Sequence, residues 1–307
     1  MRFSVIIVSY NSSQHIGQCL KYLLAQDFSD YEVLIIDNAS TDKTLSLVNV
    51  PKDRINVYTN GRNEGFSVSF NKGIWLSQGE YILTLNPDVI LENNFLSEIN
   101  RNINKLDKNV GMLGVKILRI NSARIIDSTG LVLSKFFRFF DRGSGEKDKG
   151  QYDQDNEILG PCAAAGIYKR ALLDDLRING EYFDNDFFYL LEDFDIALRA
   201  RKRGWKSLYL PEAVCYHQRN GSGMSYRYRQ RFTFRNRYFL LIKNIELKPE
   251  FILYFIIYDI PRLFFLSFIN PQALITLINA RQSFIKMFKK RKSILRCVQK
   301  EQACYNL

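Results

Sequence analysis

Polar residues gather at four places in this chain, each just past a short apolar run: Ser9-Tyr10-Asn11, Asp37-Asn38-Ala39-Ser40-Thr41-Asp42, Asn60 to Gly65, and Asn86-Pro87-Asp88. Asp, Asn and Ser favour turns and helix caps for local reasons, but four such clusters, each after a strand of one sheet, predict a shared site. Asp37 can accept hydrogen bonds from a base edge or a ribose. Asp42, one turn later, serves equally as a binding group or as the cap of its helix, and Asn63 as a nucleotide contact or a plain N-cap. Gly65 permits close backbone approach. Further along, Glu192, Asp193 and Asp195 crowd one helical turn shortly after the aromatic run Phe187-Phe188-Tyr189. Apolar walls raise a carboxylate's pKa toward useful basicity, although all three could simply favour the helix N-terminus. His217 is one of two histidines, and Gly221-Ser222-Gly223 beyond it would let a loop close over a ligand. An isolated histidine is more often an ordinary, partly buried residue; His15, on the first helix, reads as structural.

The elements that must position these residues follow from the hydrophobic pattern. Strands are predicted at Phe3 to Val8, Tyr31 to Ile36, Ile55 to Tyr58 and Tyr81 to Leu85. Between them fall helices from Ser12 or Ser13 through Ala25, from Thr41 to Val48 and from Glu64 to Ser77. Three successive β-α-β crossovers build an α/β fold, a mainly parallel sheet flanked by helices, whose ligand lies at the carboxyl ends of the strands. Beyond residue 100 the alternation weakens: strands are expected at Val110 to Leu118 and Ile125 to Leu133. A charged loop follows from Phe136 to Gly150, then a small-residue stretch from Gly160 to Gly166 and a helix from Glu192 to Arg203. That helix opens with acidic and closes with basic residues, the polarity its dipole favours.

The chain has 307 residues and a net charge of +11. Before residue 220, 27 Lys and Arg face 28 Asp and Glu; after it the numbers are 16 and 4, so the basic excess is C-terminal. A division into residues 1–220 and a basic, apolar helical extension over residues 221–307 is therefore expected. Met224 to Asn244 reads as a basic helix. Phe251 to Ile278 is apolar but interrupted by Asp259, Pro261, Arg262, Asn270 and Pro271. No uninterrupted run reaches the ~18 residues of a membrane span, which favours two broken helices lying at an interface. The cluster Lys289-Lys290-Arg291-Lys292 would add up to roughly 4 kcal/mol of attraction to an anionic leaflet; the alternative is a helical cap with a solvated basic face. Five scattered cysteines without a C-x-x-C pair argue against a disulfide framework or structural zinc site and fit a reducing compartment. The short apolar run at the N-terminus is not read as a secretory signal.

The segments SVIIVSYN, LIIDNASTD, NEGFSVSFNKG, LNPD and FFYLLEDFDIALRARKRGW, followed by His217, resemble the GT-A family 2 glycosyltransferases, and within them the rhamnosyltransferase-like subset. The likeness runs in order from about Phe3 to Asn236. It implies a GT-A fold in which Asp37 and Asp42 face the nucleoside of a nucleoside-diphosphate sugar, with Ser9 to Asn11 lining the other side and Asn63 near the diphosphate. It also implies that Asp88 ligates Mg2+ or Mn2+, that His217 completes the metal shell or contacts the diphosphate, and that Asp193, in the Glu192-Asp193 motif, is the base of an inverting transfer. Asn86 stands where the family's Asp-x-Asp motif has its first acid, so that position lacks a negative charge; neutral Asn86 can still hydrogen-bond the sugar or a metal-bound water.

The resemblance further implies transfer of L-rhamnose from dTDP-L-rhamnose to a saccharide or lipid-linked saccharide in cell-surface polysaccharide synthesis. Such a protein would be cytoplasmic, peripheral at the inner face of the membrane, with an anionic membrane surface but no nucleic acid among its partners and room for an oligomer. Two other readings stand beside it. A nucleotidyltransferase would share the sheet and a metal-binding carboxylate, but it would want a Gly-rich, cationic loop where Ser9 to Ser13 has neither. A basic membrane or nucleic-acid adaptor would explain the C-terminal charge but not Asp37, Asp88 and Asp193.

Overall fold

The computed structural model describes residues 1–48, 54–219, 224–246 and 249–305. Its first half follows the crossover pattern closely: β1 (Phe3–Ser9), α1 (Ile16–Leu24), β2 (Tyr31–Asp37), β3 (Ile55–Thr59), α2 (Phe66–Leu76) and β4 (Tyr81–Leu85). These four strands lie parallel in the order β3-β2-β1-β4. β1, β2 and β4, buried on both faces, read as apolar runs without alternation, whereas the edge strand β3 buries only Ile55 fully. Val5 and Ile7 pack under α1 against Ile16 and Leu20, whereas Ile6 packs under α2 against Phe70 and Ile74. Gly73 lets α2 sit that close, since a Cβ there would lie 2.5 Å from an Ile6 methyl.

The segment from Thr41 to Val48, expected to be a helix, forms only a 3-10 turn at Leu45–Leu47. Asp42 accepts from the Thr44 amide (2.9 Å) and hydroxyl and from the Ser13 amide (3.0 Å). A side chain bonded to nearby backbone in this way competes with helix formation, and Leu45 and Leu47 stay exposed, offering no apolar face to bury.

The sheet continues through β5 (Val89–Leu91), α3 (Phe95–Ile103), β6 (Val110–Arg119) and β7 (Ser122–Ser128). There follow β8 (Leu131–Leu133), β9 (Phe139–Asp141), β10 (Ile167–Lys169), α4 (Arg170–Leu176), α5 (Glu192–Lys202) and β11 (Lys206–His217). Beyond β4 the order is β10-β6-β11-β5, with β10 and β5 antiparallel to their neighbours and β7 paired to β6. The strand expected from Ile125 to Leu133 is two strands, broken where Gly130 turns at φ 123° and β8 leaves to pair with β9. The expected loop from Phe136 to Gly150 therefore contains a strand. It is drawn inward by Phe139 against the Phe194 ring and by buried Arg142, which bonds Thr129 and Asp155. The sheet and its covering helices form the GT-A arrangement, to which a helical bundle is added.

That bundle comprises α6 (Tyr226–Asn244), α7 (Glu250–Tyr254), a π-turn (Phe255–Asp259), α8 (Ile260–Ile269), α9 (Pro271–Asn279) and α10 (Arg281–Tyr305). The apolar segment breaks at Asn270-Pro271 as expected, but near Asp259 only the π-turn intervenes and the helix runs on. From Phe251 to Ile269 the chain is one helix, 19 residues of mean hydropathy 1.8, long and apolar enough to cross a membrane and only 11% buried. Its polar residues face inward: Asp259 is bonded by Arg237 (2.7 Å) and the Tyr238 hydroxyl (3.0 Å), and Arg262 stacks on Phe234 and Tyr258. The basic cluster of α10 is also partly consumed. Lys290 pairs with Asp184 and Asp186, and Arg291 donates to the Ile242 and Ile245 carbonyls at the end of α6, leaving Lys289 and Lys292 to face outward.

Candidate functional site

A cleft of about 320 Å3 opens at the carboxyl ends of β1 and β4, where the order of strands changes direction. It brings together Asn63, Asn86, Asp88, Glu192, Asp193 and His217. Ser9, Asn11, Asp37 and Asp42, expected to bind the nucleotide, do not line it: Ser9 and Asp37 are buried, and Asn11 and Asp42 are exposed outside it. Asp37, fully buried, accepts from the Ser9 hydroxyl (2.8 Å), the Ser40 amide (2.9 Å) and the Ser40 hydroxyl (2.6 Å). The amide of Asn11 donates to the Ser40 hydroxyl oxygen and its Oδ1 accepts from the Thr41 amide, both at 2.9 Å. The two loops after β1 and β2 are thus tied into one wall. Asn63 accepts from the Gly65 amide (3.0 Å), the local turn that a cap would make, while lining the cleft. Gly65, at φ 84°, lets that turn meet the opposite wall: a Cβ there would lie 2.5 Å from the Phe188 carbonyl oxygen.

In the cleft the antiparallel pairing of β5 with β11 sets His217 opposite Val89 and therefore beside Asp88. The imidazole Nε2 lies 3.4 Å from Asp88 Oδ1, and Nδ1 lies 2.8 Å from Asp127 Oδ2. Burial alone would lower the His217 pKa, but hydrogen bonds and charge from Asp127 and Asp88 raise it to about 9. Arg219 bonds Asp127 and reaches Asp141 (3.2 Å); against its burial, His217 first and then Arg219 hold Asp127 below the usual carboxylate range. Asp141 is pushed up, chiefly by burial. Among the described residues no three His, Cys, Asp or Glu side chains converge as a complete metal site. Asp88 and His217 do fit a partial one: an oxygen and a nitrogen converge, and the carboxylate on Nδ1 is the usual support of a metal-binding imidazole.

On α5 the surroundings sort the three acids. Asp195 points inward, fully buried, and is bonded by Arg199 (2.9 Å), Lys243 (2.8 Å) and Asn244 (2.7 Å). Asp193 faces the cleft, accepting from the amides of Ala163 (3.2 Å) and Phe194 (2.9 Å), so the small-residue stretch from Gly160 supplies its near wall. Glu192 is buried with Oε2 unbonded. Burial, then the charge of Asp141, raises the Asp193 pKa to about 7; burial, then Asp193, raises Glu192 to about 8. A carboxylate so poised beside a polar cleft can take a proton from a bound hydroxyl near neutral pH.

Arg235, Asn236 and Arg237 do not line the cleft; they bond the main chain of residues 186–190, the Phe137 carbonyl and Asp259. Arg229, two turns earlier on α6, does line it. Asp127, Asp141 and Arg219 also face the site and carried no sequence signal, apart from the place of Arg219 two residues after His217. Gly221-Ser222-Gly223 lies outside the described residues.

The sequence model of glycosyl transferase family 2 matches residues 4–177. A Methanococcus voltae protein named dolichyl N-acetyl-alpha-D-glucosaminyl phosphate 3-beta-D-2,3-diacetamido-2,3-dideoxy-beta-D-glucuronosyltransferase is 26% identical over 69% of this chain and 65% of its own. Rhamnosyltransferase WbbL of Escherichia coli K12 is 28% identical over 75% of this chain and 90% of its own. Among solved structures, S. aureus TarS 1-349 in complex with UDP-GlcNAc superposes with a TM-score of 0.60 at 21% identity, over 94% of this chain and 82% of that one. The chain spans about a third to about two thirds of the length of the first curated relatives it matches.

The raised carboxyls have a thermodynamic consequence. Each binds its proton more tightly folded than unfolded, so stability falls as pH rises from about 4, the unfolded value, through the folded values of about 7 and 8. Asp193→Asn should melt above wild type at about pH 8, with the gap closing by about pH 4. A gap that does not change across that range would show that Asp193 is not perturbed.

Proposed function

The chain belongs to glycosyl transferase family 2, and from that premise we propose that it is an inverting glycosyltransferase using a nucleoside-diphosphate sugar. The observation that carries this reading is that Asp193 and the Asp88–His217 pair line a single cleft. Inversion at an anomeric carbon needs one in-line displacement, with the acceptor hydroxyl losing its proton as the new bond forms. Asp193 is the base. Glu192, protonated at neutral pH, donates a hydrogen bond from the same turn to a sugar hydroxyl. Ser9, Asn11, Asp37 and Asp42 shape the nucleoside side, with Asn63 and Asn86 toward the diphosphate and sugar.

Asp88 and His217 are the residues that would hold Mg2+ or Mn2+. When bound, such an ion neutralises the departing diphosphate as a charge clamp. Asn86 leaves one negative charge fewer beside it. The donor proposed is dTDP-L-rhamnose, supported by Asn86 and by the likeness to WbbL over most of that protein's length. The acceptor proposed is a saccharide or lipid-linked saccharide of the cell surface.

The division of labour between residues 1–220 and 221–307 belongs to the same proposal. Ile252, Ile256, Phe264, Phe265, Phe268 and Ile278 are all more than half exposed, an apolar face suited to the inner leaflet that bears a lipid-linked acceptor. Lys289 and Lys292 add roughly 2 kcal/mol toward anionic lipid, half of what the basic cluster offers as sequence.

Purified protein supplied with a panel of nucleoside-diphosphate sugars and Mg2+ or Mn2+ should hydrolyse or transfer one of them; inactivity across the panel would overturn the reading. Asp193→Asn should lose about 10²- to 10⁴-fold in rate while calorimetry finds its nucleotide affinity intact, and Asp88→Ala should lose the metal's enhancement of that affinity. Equal turnover in Asp193→Asn and wild type would remove Asp193 from its role. In a separate test, the double variant Phe264→Glu, Phe268→Glu should no longer co-sediment with anionic liposomes yet should still hydrolyse donor in solution. Undiminished sedimentation would refute the membrane face.

A further inference from the structure

The turn leading into the acid pair is strained. Phe188, Leu190 and Leu191 have φ of 59°, 69° and 67°, and none is glycine or asparagine. Such positions are strained and persist only where their surroundings over-determine them. Here the surroundings come from the C-terminal bundle. Asn236 of α6 is fully buried, and its Nδ2 donates to the carbonyls of Phe187 (2.9 Å), Tyr189 (2.9 Å) and Leu190 (2.7 Å). Its Oδ1 accepts from Arg235 Nε (2.9 Å), which distinguishes the oxygen from the nitrogen of the amide. Arg235 also donates to the Asp186 and Phe187 carbonyls, and the Phe66 amide holds the Phe188 carbonyl at 2.6 Å from the opposite wall. Leu191 is the residue before Glu192, and its carbonyl accepts the Asp195 amide (3.2 Å) at the start of α5.

We propose that Asn236 is a positioning residue for the transfer: by gathering three carbonyls of the turn from Phe187 to Leu191 it fixes where α5 begins and so where the Asp193 carboxylate points. This rests on the reading of Asp193 as the base. It makes the C-terminal bundle part of the active site, because the amide that holds the acid pair in place belongs to α6. The carbonyls need donors. Aspartate at this position keeps the shape but turns acceptor oxygens toward them, and serine keeps one donor without adding charge.

The test uses the full chain, with Asn236→Asp and Asn236→Ser, the second serving if the first does not fold. Both should lose roughly 10- to 100-fold in kcat with KM for the donor unchanged within about twofold, because Ser9, Asn11, Asp37 and Asp42 of the proposed nucleoside side are held by bonds within the loops after β1 and β2 and not by this turn. In an Asp193→Asn background the same substitutions should cost nothing further, since a residue acting through Asp193 has nothing left to position. Unchanged kcat in folded variants, a matching rise in KM, or losses that add to that of Asp193→Asn would each overturn the proposal. An active wild type with unaffected Asn236 variants defeats this inference alone; a wild type inactive on every donor defeats the functional reading and this inference with it.

Discussion

The inward carboxylate of α5 is the contact on which the rest of the molecule depends. Asp195 has no exposure to solvent and is held by Arg199 of its own helix and by Lys243 and Asn244 of α6. Lys243 in turn bonds Asp184 (2.6 Å), which also receives Lys290 of α10. Burying charges costs several kcal/mol per ion, which only close partners offset, so removing one partner strands the others. The cluster therefore locks α5, α6, α10 and the segment before the acid pair into one arrangement. Rotating α5 about its axis would both break that cluster and withdraw Asp193 from the cleft.

Three acids within four residues thus have different fates because their surroundings differ. Cations surround Asp195 and keep it ionised, with a lowered pKa in spite of burial. Asp193 has two amides, an apolar wall and the charge of Asp141 nearby; Glu192 has an unbonded oxygen and Asp193. In the same cleft, Asp88 and His217 are arranged by a three-residue strand and by Asp127. A paired His217–Asp88–Asp127 group and a proton-holding Asp193 and Glu192, preorganised in one cleft, suit a reaction that takes a proton and releases a diphosphate.

Much of this was legible in the residues, and the failures have physical causes. The parallel strands β1, β2 and β4 were visible because strands buried on both faces carry apolar runs, and the edge strand β3 because its residues are mostly β-branched and aromatic. The carboxylate helix α5 was visible from its charge polarity. The helix expected at Thr41 failed because Asp42 bonds the neighbouring backbone, a competition that composition alone does not settle. The split at Gly130 and strand β9 depend on partners six to ten residues away and on a buried arginine in what reads as a charged loop. Asp127, Asp141 and Arg219 could not be found locally, since what makes them part of the site is the bonding of Arg219 to Asp127 and Asp141 from separate segments of the chain. Asp259 and Arg262, which read as interruptions of an apolar run, face inward and are bonded there.

The central claim is that Asp193 gives up its proton only near neutral pH because of where it is buried and because Asp141 lies close by. The rate of transfer at saturating metal, followed from about pH 5 to about pH 9, tests it most directly. The account predicts a rate that rises with pH through a value of about 7, with the rise displaced to lower pH in Asp141→Asn. A rate already at its plateau at pH 5, or an acid limb indifferent to Asp141, would contradict it.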